Sequence, residues 1–301
     1  MKRTGMKEYI DVLHKNWTLT TSVSWEPIDT PKETIIKKTV DNSFDNGRTM
    51  KWINSLATPT WFSIQGGGHR IHVISDRSVA ELTPTLEKAL RIMSWLSKKS
   101  LTFFWWDQPW PRNLTPYSDP GPEHLNGGWA IPGVPEIHVY RREEALKVMI
   151  HEAIHALLLD VKPVLVEPVR LQFETHIGRK LWPHLGECYT ELFAELLWSI
   201  IQGHPWSRQL VCSEKQAGQV WARIHDSKEA ERTNVFAYYI LKWVLMQHKE
   251  VFFGPNHCVS MWFEWFLQAL PKLESLRHRY RDSERESLSL AMTCPTFTEL
   301  Q

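Results

Sequence analysis

The chain has 301 residues, with 35 basic against 34 acidic side chains and a formal net charge of +1. That balance supplies no broad positive field for nucleic acid or an anionic membrane surface. An apolar share of 43% suffices for a substantial core, but no run of about 20 apolar residues is present to span a bilayer.

Met1 to Trp17 lacks the apolar centre of a secretory signal. Cys188, Cys212, Cys258 and Cys294 are scattered, with no Cys-x-x-Cys pair. Together these features predict free thiols and a cytoplasmic protein, with two disulfides in a secreted protein as the lesser reading, and neither nucleic acid nor membrane as a partner. The 16 tryptophans point to a thick helical core or to aromatic-lined grooves, and composition does not choose between them.

Residues 1–60 are polar and weakly periodic, broken by Pro27 and Pro31, and read as an accessory N-terminal segment. Gly66-Gly67-Gly68 signals a turn ahead of a strand over Arg70 to Asp76. An amphipathic helix over Leu82 to Lys98 follows, capped by Thr83 or Thr85 ahead of Glu87. Leu101 to Trp106 is a second strand. The Pro- and Gly-rich stretch from Pro109 to Pro135 is mostly loop, ending in the turn Asn126-Gly127-Gly128 and a short extended piece, Trp129-Ala130-Ile131. Glu136 to Tyr140 is a third strand, leading into a helix over Glu143 to Leu159. A loop with Pro163, Pro168 and His176 separates it from a helix over Gly186 to Gln202. Two more helices cover Glu229 to Val251 and Val259 to Leu270, and the tail beyond Leu276 is charged and Ser-rich, as disordered segments are. The order predicts an α+β fold: a small mixed sheet, then a functional helix and a mainly helical C-terminal half.

The chemistry concentrates in Val148-Met149-Ile150-His151-Glu152-Ala153-Ile154-His155-Ala156-Leu157. His151 and His155 are four apart, so on a helix both imidazoles leave one face a turn apart. That spacing lets two nitrogens reach one zinc ion at about 2.0–2.1 Å. Glu152 is rotated by about 100° from His151, where it can hold a water at the metal rather than the metal itself. A carboxylate there can take the water's proton and return it to a leaving amine. The plainer alternative is a pair of core histidines satisfied by nearby carboxylates.

A catalytic zinc needs a third protein ligand and an open position. No Gly-x-x-His follows His155, which disfavours a three-histidine set. Instead Glu187, Glu191 and Glu195 form an acidic stripe at i, i+4 and i+8 on an otherwise apolar helix. Burying such a stripe is costly unless a cation compensates. The alternative is a solvated helix face, although no Lys or Arg interleaves with the glutamates.

These two motifs resemble the gluzincins, metallopeptidases of the zincin fold with His-Glu-x-x-His on one helix and a ligand glutamate on a later one. Glu191-Leu-Phe-Ala194-Glu195 is similar to the ligand segment of that group. Glu136 to Asp160 also resembles metallopeptidases encoded by large DNA viruses, and the likeness covers roughly residues 125–200. The resemblance implies Glu191 as third ligand, Glu187 as the rival one turn earlier, and Glu195 as an acceptor orienting a ligand imidazole. It further implies that a sheet-edge strand, Trp129-Ala130-Ile131 or Glu136 to Tyr140, holds an extended substrate. Tyr238, Tyr239, His184 and His225 are available to stabilise an oxyanion, but for each a plain packing role is the stronger reading and none joins the catalytic set.

The resulting expectation is a zincin-like metallopeptidase domain over 61–272, with 273–301 as a charged tail. One Zn2+ held by His151, His155 and Glu191 would serve hydrolysis of a peptide or protein substrate, with Glu152 as general base. Two other readings stand beside it. One is a non-catalytic zinc-containing binding or structural protein, which leaves Glu152 without a role. The other is hydrolysis of a non-peptide amide; the peptide-deformylase version needs a cysteine upstream of the motif, and none precedes Cys188. Gly66-Gly67-Gly68 leads into a strand and not a helix, so it is a turn and not a phosphate loop. His69 and His72, the tryptophans of Trp105 to Trp110, and the basic run from Arg277 to Arg281 read as structural or solvated.

Overall fold

The computed structural model describes residues 6–19, 22–40, 47–115, 118–225, 229–253, 258–281 and 288–291. In chain order its first elements are α1 (Met6–Leu19), β1 (Trp25–Pro27), α2 (Lys32–Val40), α3 (Arg48–Ser55), β2 (Thr60–Gly66), β3 (His69–Ser75), α4 (Val79–Leu96), β4 (Thr102–Trp106), β5 (Asn113–Leu114) and α5 (Pro122–Leu125). They are followed by β6 (Gly128–Trp129), β7 (Glu136–Val139), α6 (Ala145–Ala156), α7 (Pro163–Ile177), α8 (Glu187–Gln202) and α9 (Trp206–Ile224). A π-helix over Phe236–Leu241 runs into α10 (Lys242–Gln247), and α11 (Lys249–Phe252), α12 (Met261–Arg279) and β8 (Leu288–Ser289) complete the set. The fold is mixed α+β with a helical C-terminal half, as the order of sequence signals predicts. No helix among the described residues is long and apolar enough to cross a membrane.

The chain divides into two compact units. The sheet unit takes residues 13–111 and 126–159; the helical unit takes 1–12, 112–125 and 160–301. These borders do not fall at 60 and 272. Part of the stretch read as accessory enters the sheet unit's core, since β1 pairs with β2, and Ile35, Trp52 and Ile53 are buried against Ile74, Phe104, Trp106 and Tyr140.

The sheet has six strands in the order β1-β2-β3-β4-β7-β6. Its centre, β3-β4-β7, is parallel, and β6 returns antiparallel to β7 at one end. Gly67 and Gly68 turn β2 into β3 with φ of 58° and 81°. Two successive left-handed residues make the tight hairpin turn that glycine allows at little cost. The turn was legible in the sequence; β2 itself was not. Side chains alternate across the pleat. His72, Phe104, His138 and Trp129 stand in one cross-strand row, and each ring stacks on the next at centroid distances of 5.0, 5.0 and 3.8 Å. Ile71, Val73, Phe103, Trp105, Ile137 and Val139 point to the other face, where α4 packs on β3 and α6 on β7.

In the helical unit α8, α9 and α10 pack on one another and on the π-helix, and α12 packs on α7, α9 and α10. Phe173, Phe236, Phe266 and Trp221 form a buried ring cluster. Trp105, Trp106, Trp243 and Trp262 are fully buried, so in both units tryptophan builds core. The segment with Pro163, Pro168 and His176 is helix α7 and not a loop. Pro163 opens it, where a missing N–H costs nothing. Helix α9 had no counterpart in the sequence reading. Cys188 and Cys258 are free, whereas Cys212 is disulfide-bonded, which corrects the expectation of free thiols throughout. Cys294 and most of the charged tail lie outside the described residues.

Candidate metal centre

The sheet unit carries the His-Glu-x-x-His segment on α6, whose body is apolar and buried from Val148 to Ile154. A short connection from β7 sets the helix in place. Trp105 donates its indole N–H to the Arg141 carbonyl at 3.1 Å, and the Arg142 N–H reaches the Gln108 carbonyl at 2.7 Å. The buried Asp107 accepts from Ser75 at 2.6 Å, from Arg77 at 2.7 Å and from Arg142 at 3.1 Å. Three charge-assisted or short hydrogen bonds to one carboxylate tie the ends of β3 and β4 to the start of the α6 connection.

One turn apart on α6, His151 and His155 aim their Nε2 atoms at a common point, 3.3 Å from each other. Two nitrogens bound to one tetrahedral zinc at about 2.0–2.1 Å stand about 3.3–3.4 Å apart. The separation fits a shared metal, and the rings' 68° interplanar angle lets both nitrogens converge without stacking. His151 and Glu152 are buried and His155 is half-buried, so the pair is screened from bulk water yet reachable.

The sheet's end strand passes directly over this helix. A Cβ placed on Gly128 would stand 2.5 Å from the His138 carbonyl, 2.8 Å from Val148 and 3.1 Å from the Glu152 stem. Only glycine fits there, and its absence of side chain brings the β6 backbone against the candidate base. Of the two strands weighed as the sheet edge, β6 takes that position, since it stands last in the strand order, beside β7. Beneath Trp129, His138 is buried and held at a pKa of about 4 by desolvation, which outweighs the opposing pull of Glu136. His72 is likewise near 4, mainly through burial; it shares a 2.9 Å hydrogen bond with Ser63. His69 accepts from the Leu101 N–H. These histidines serve the sheet.

The helical unit carries the acidic stripe on α8, and its three glutamates differ. Glu187 begins the helix, half-buried, and accepts a hydrogen bond from Tyr238 at 3.3 Å. Glu191 is buried with its carboxylate 3.7 Å from the Lys242 ammonium, which is wholly buried too. Glu195 is as buried as Glu191. A cation facing Glu191 is therefore a lysine of α10. The sequence did contain a signal for this, a lone Lys242 inside the apolar run Tyr239-Ile240-Leu241-Lys242-Trp243-Val244-Leu245. Of the four oxyanion candidates, Tyr239 donates to the Leu290 carbonyl at 2.6 Å and His225 lies 3.4 Å from Glu274. His184 contributes its carbonyl to the first turn of α8. Tyr238 alone of these four has its side chain bonded to a stripe carboxylate among the described contacts.

Comparison of the chain with protein-family models, with curated proteins and with solved structures found no match.

Proposed function

We propose that this protein is a zinc-dependent peptidase in which His151, His155 and Glu187 hold one zinc ion. Two histidines and a carboxylate are a donor set that catalytic zinc takes. The observation that carries the reading is the 3.3 Å approach of the two Nε2 atoms. Zinc, when bound, acidifies a water molecule and polarises a carbonyl. Glu152, next to His151 in the chain and buried, takes the proton from the attacking water and delivers it to the amine that leaves. As the end strand of the sheet, β6 would align an extended substrate in the manner of strand addition, and Gly128 keeps that strand close to Glu152. Tyr238 fixes the orientation of Glu187 through its hydroxyl, the kind of outer support that tunes a ligand carboxylate. Glu191 keeps its structural pairing with Lys242.

Elemental analysis of wild type and His151→Ala tests the site: about one zinc per chain is expected in the first and none in the second, and equal metal content refutes it. Glu152→Gln separates catalysis from a structural metal. It should retain zinc and lose peptide hydrolysis; undiminished hydrolysis removes Glu152 from the mechanism.

A further inference from the structure

We infer that the sheet unit carries a second binding site, a groove at the start of β3 for a small hydroxylated molecule that ends in a phosphate or carboxylate. The groove encloses about 570 Å³, within the range of sites for small molecules. Its residues all belong to the sheet unit and none to α6. Trp25 gives it one apolar wall, held by an indole N–H donated to Glu87 at 3.1 Å. The other side chains that line it are polar.

Two donors at the strand start define the occupant. His69 is 2% exposed. Burial, and next the charge of Lys98, hold it below the ordinary histidine pKa, so the ring is uncharged near neutral pH. Its Nδ1 accepts the Leu101 N–H at 3.2 Å. An uncharged ring that accepts at Nδ1 carries its proton on Nε2, and no group among the described residues accepts from that N–H. A buried donor left without an acceptor costs free energy, which a ligand oxygen would recover. Beside it Arg70 is exposed, and no carboxylate among the described residues pairs with it.

Glu26, Gln65 and Arg70 stand in one cross-strand row. Glu26 is therefore two strand spacings, about 10 Å, from Arg70 across the sheet, and its carboxylate accepts from the Gln65 amide between them. The acid is occupied and the guanidinium is not, which favours an oxyanion at Arg70, whose planar fork matches phosphate and carboxylate. Successive side chains leave opposite faces of a strand, so one oxygen does not serve both His69 and Arg70. The ligand needs an anionic group for Arg70 and a separate hydroxyl or carbonyl oxygen for His69. Ser24 and Ser100 line the same groove and can exchange hydrogen bonds with further hydroxyls. A sugar phosphate and a sugar acid share that chemistry.

Isothermal titration calorimetry of the zinc-loaded protein with glucose phosphorylated on its primary hydroxyl, gluconate, glucose and inorganic phosphate tests the site. One or both of the first two should bind at least about tenfold more tightly than glucose or inorganic phosphate, and their ranking tells phosphate from carboxylate. Arg70→Gln, at an exposed position, should keep the melting temperature and lose at least about tenfold in affinity. The His69 Nε2–H signal in imidazole NMR should shift on saturation. His151→Ala should bind as the wild type does whatever its zinc content, which keeps this outcome separate from that of the peptidase reading; binding lost there places the ligand at the metal and overturns the inference. Equal binding of all four compounds, or of none, overturns it too, as does wild-type affinity in Arg70→Gln or an unmoved His69 signal.

Discussion

Helices α6 and α8 use the same four-residue spacing for opposite ends. On α6 two imidazoles point to one place, 3.3 Å apart, because the four-residue spacing puts both on one helix face. On α8 the carboxylates cannot do so, and each of the first two takes a partner of its own: Tyr238 for Glu187 and Lys242 for Glu191. A stripe of like charges is divided by the fold into separate roles, here an accessible acid at the helix start and a buried ion pair one turn on.

The largest expected effect breaks that division. Glu191→Ala leaves Lys242 buried without its counter-charge and should cost about 3–5 kcal/mol in urea unfolding. Glu191→Leu with Lys242→Met should recover most of the loss, since paired apolar replacements remove the desolvation cost. Both proteins should keep their zinc. Glu187→Ala should do the reverse, changing stability by less than about 1 kcal/mol at a half-buried position while abolishing zinc binding. Zinc lost in Glu191→Ala and retained in Glu187→Ala would reverse the ligand assignment.

Buried titratable groups extend the contrast from the two helices to their units. In the sheet unit His72 and His138 are held near pKa 4, while an unfolded histidine titrates near about 6.5. The unfolded chain then binds the extra protons, so stability is complete above about pH 6.5 and falls on acidification toward pH 4, by about 3 kcal/mol per histidine. In the helical unit Glu231 moves the other way. Burial raises it to about 7, against the backbone N–H groups of Trp182 and Phe236 and the charge of Arg179, which lower it. The folded unit keeps a proton that the unfolded chain releases above about pH 4.5, so this contribution is complete at low pH and is lost, by about 3 kcal/mol, as pH rises to 7. Hydrogen exchange should show β3, β4 and β7 amides opening more readily at pH 5 than at pH 7, and the amides following Glu231 showing the opposite trend. Parallel trends in both sets would remove the contrast.

A smaller effect isolates the α6 side. Gly128→Ala places a methyl group 2.5 Å from a backbone carbonyl and 2.8 Å from Val148. The carbonyl cannot step aside as a flexible side chain would, so overpacking should cost about 1–3 kcal/mol and lift β6 away from Glu152. Hydrolysis should then fall while zinc content stays constant. A variant with wild-type hydrolysis would show that β6 does not hold substrate.

What was legible in the sequence follows from the range of each signal. The α6 pair and the α8 stripe are periodic within one element, and β3, β4 and β7 are short apolar runs bounded by turns, so local pattern sufficed. The ring row His72-Phe104-His138-Trp129 depends on strand register across 66 residues, from 72 to 138, and no local pattern encodes it. Helix α7 was hidden by Pro163 and Pro168, which read as breakers although the first stands where a helix begins. The pairing of Lys242 with Glu191 joins residues 51 apart in sequence; each was visible alone, and only the fold makes them partners.

The start of α4 is the finest test of local reading, confined to the sheet unit. The sequence placed the cap at Thr83 or Thr85, with Pro84 just inside the helix. The helix begins earlier, at Val79, because Ser78 and Glu81 form a reciprocal capping box: the Ser78 hydroxyl accepts from the Glu81 N–H, and the Glu81 carboxylate accepts from the Ser78 N–H at 2.9 Å. The earlier start adds Val79 to Glu81 ahead of the buried Leu82, where the expected helix began. Thr83 turns its hydroxyl back to the Val79 carbonyl at 2.8 Å, a bond available only inside a helix already formed. Ser78→Ala should therefore cost about 1 kcal/mol and Thr83→Ala less than about 0.5 kcal/mol. Exchange from α8 and α9 should be untouched in both variants. If Thr83→Ala proves the costlier of the two, the cap lies where the sequence put it and the first turn of α4 is not helical in solution.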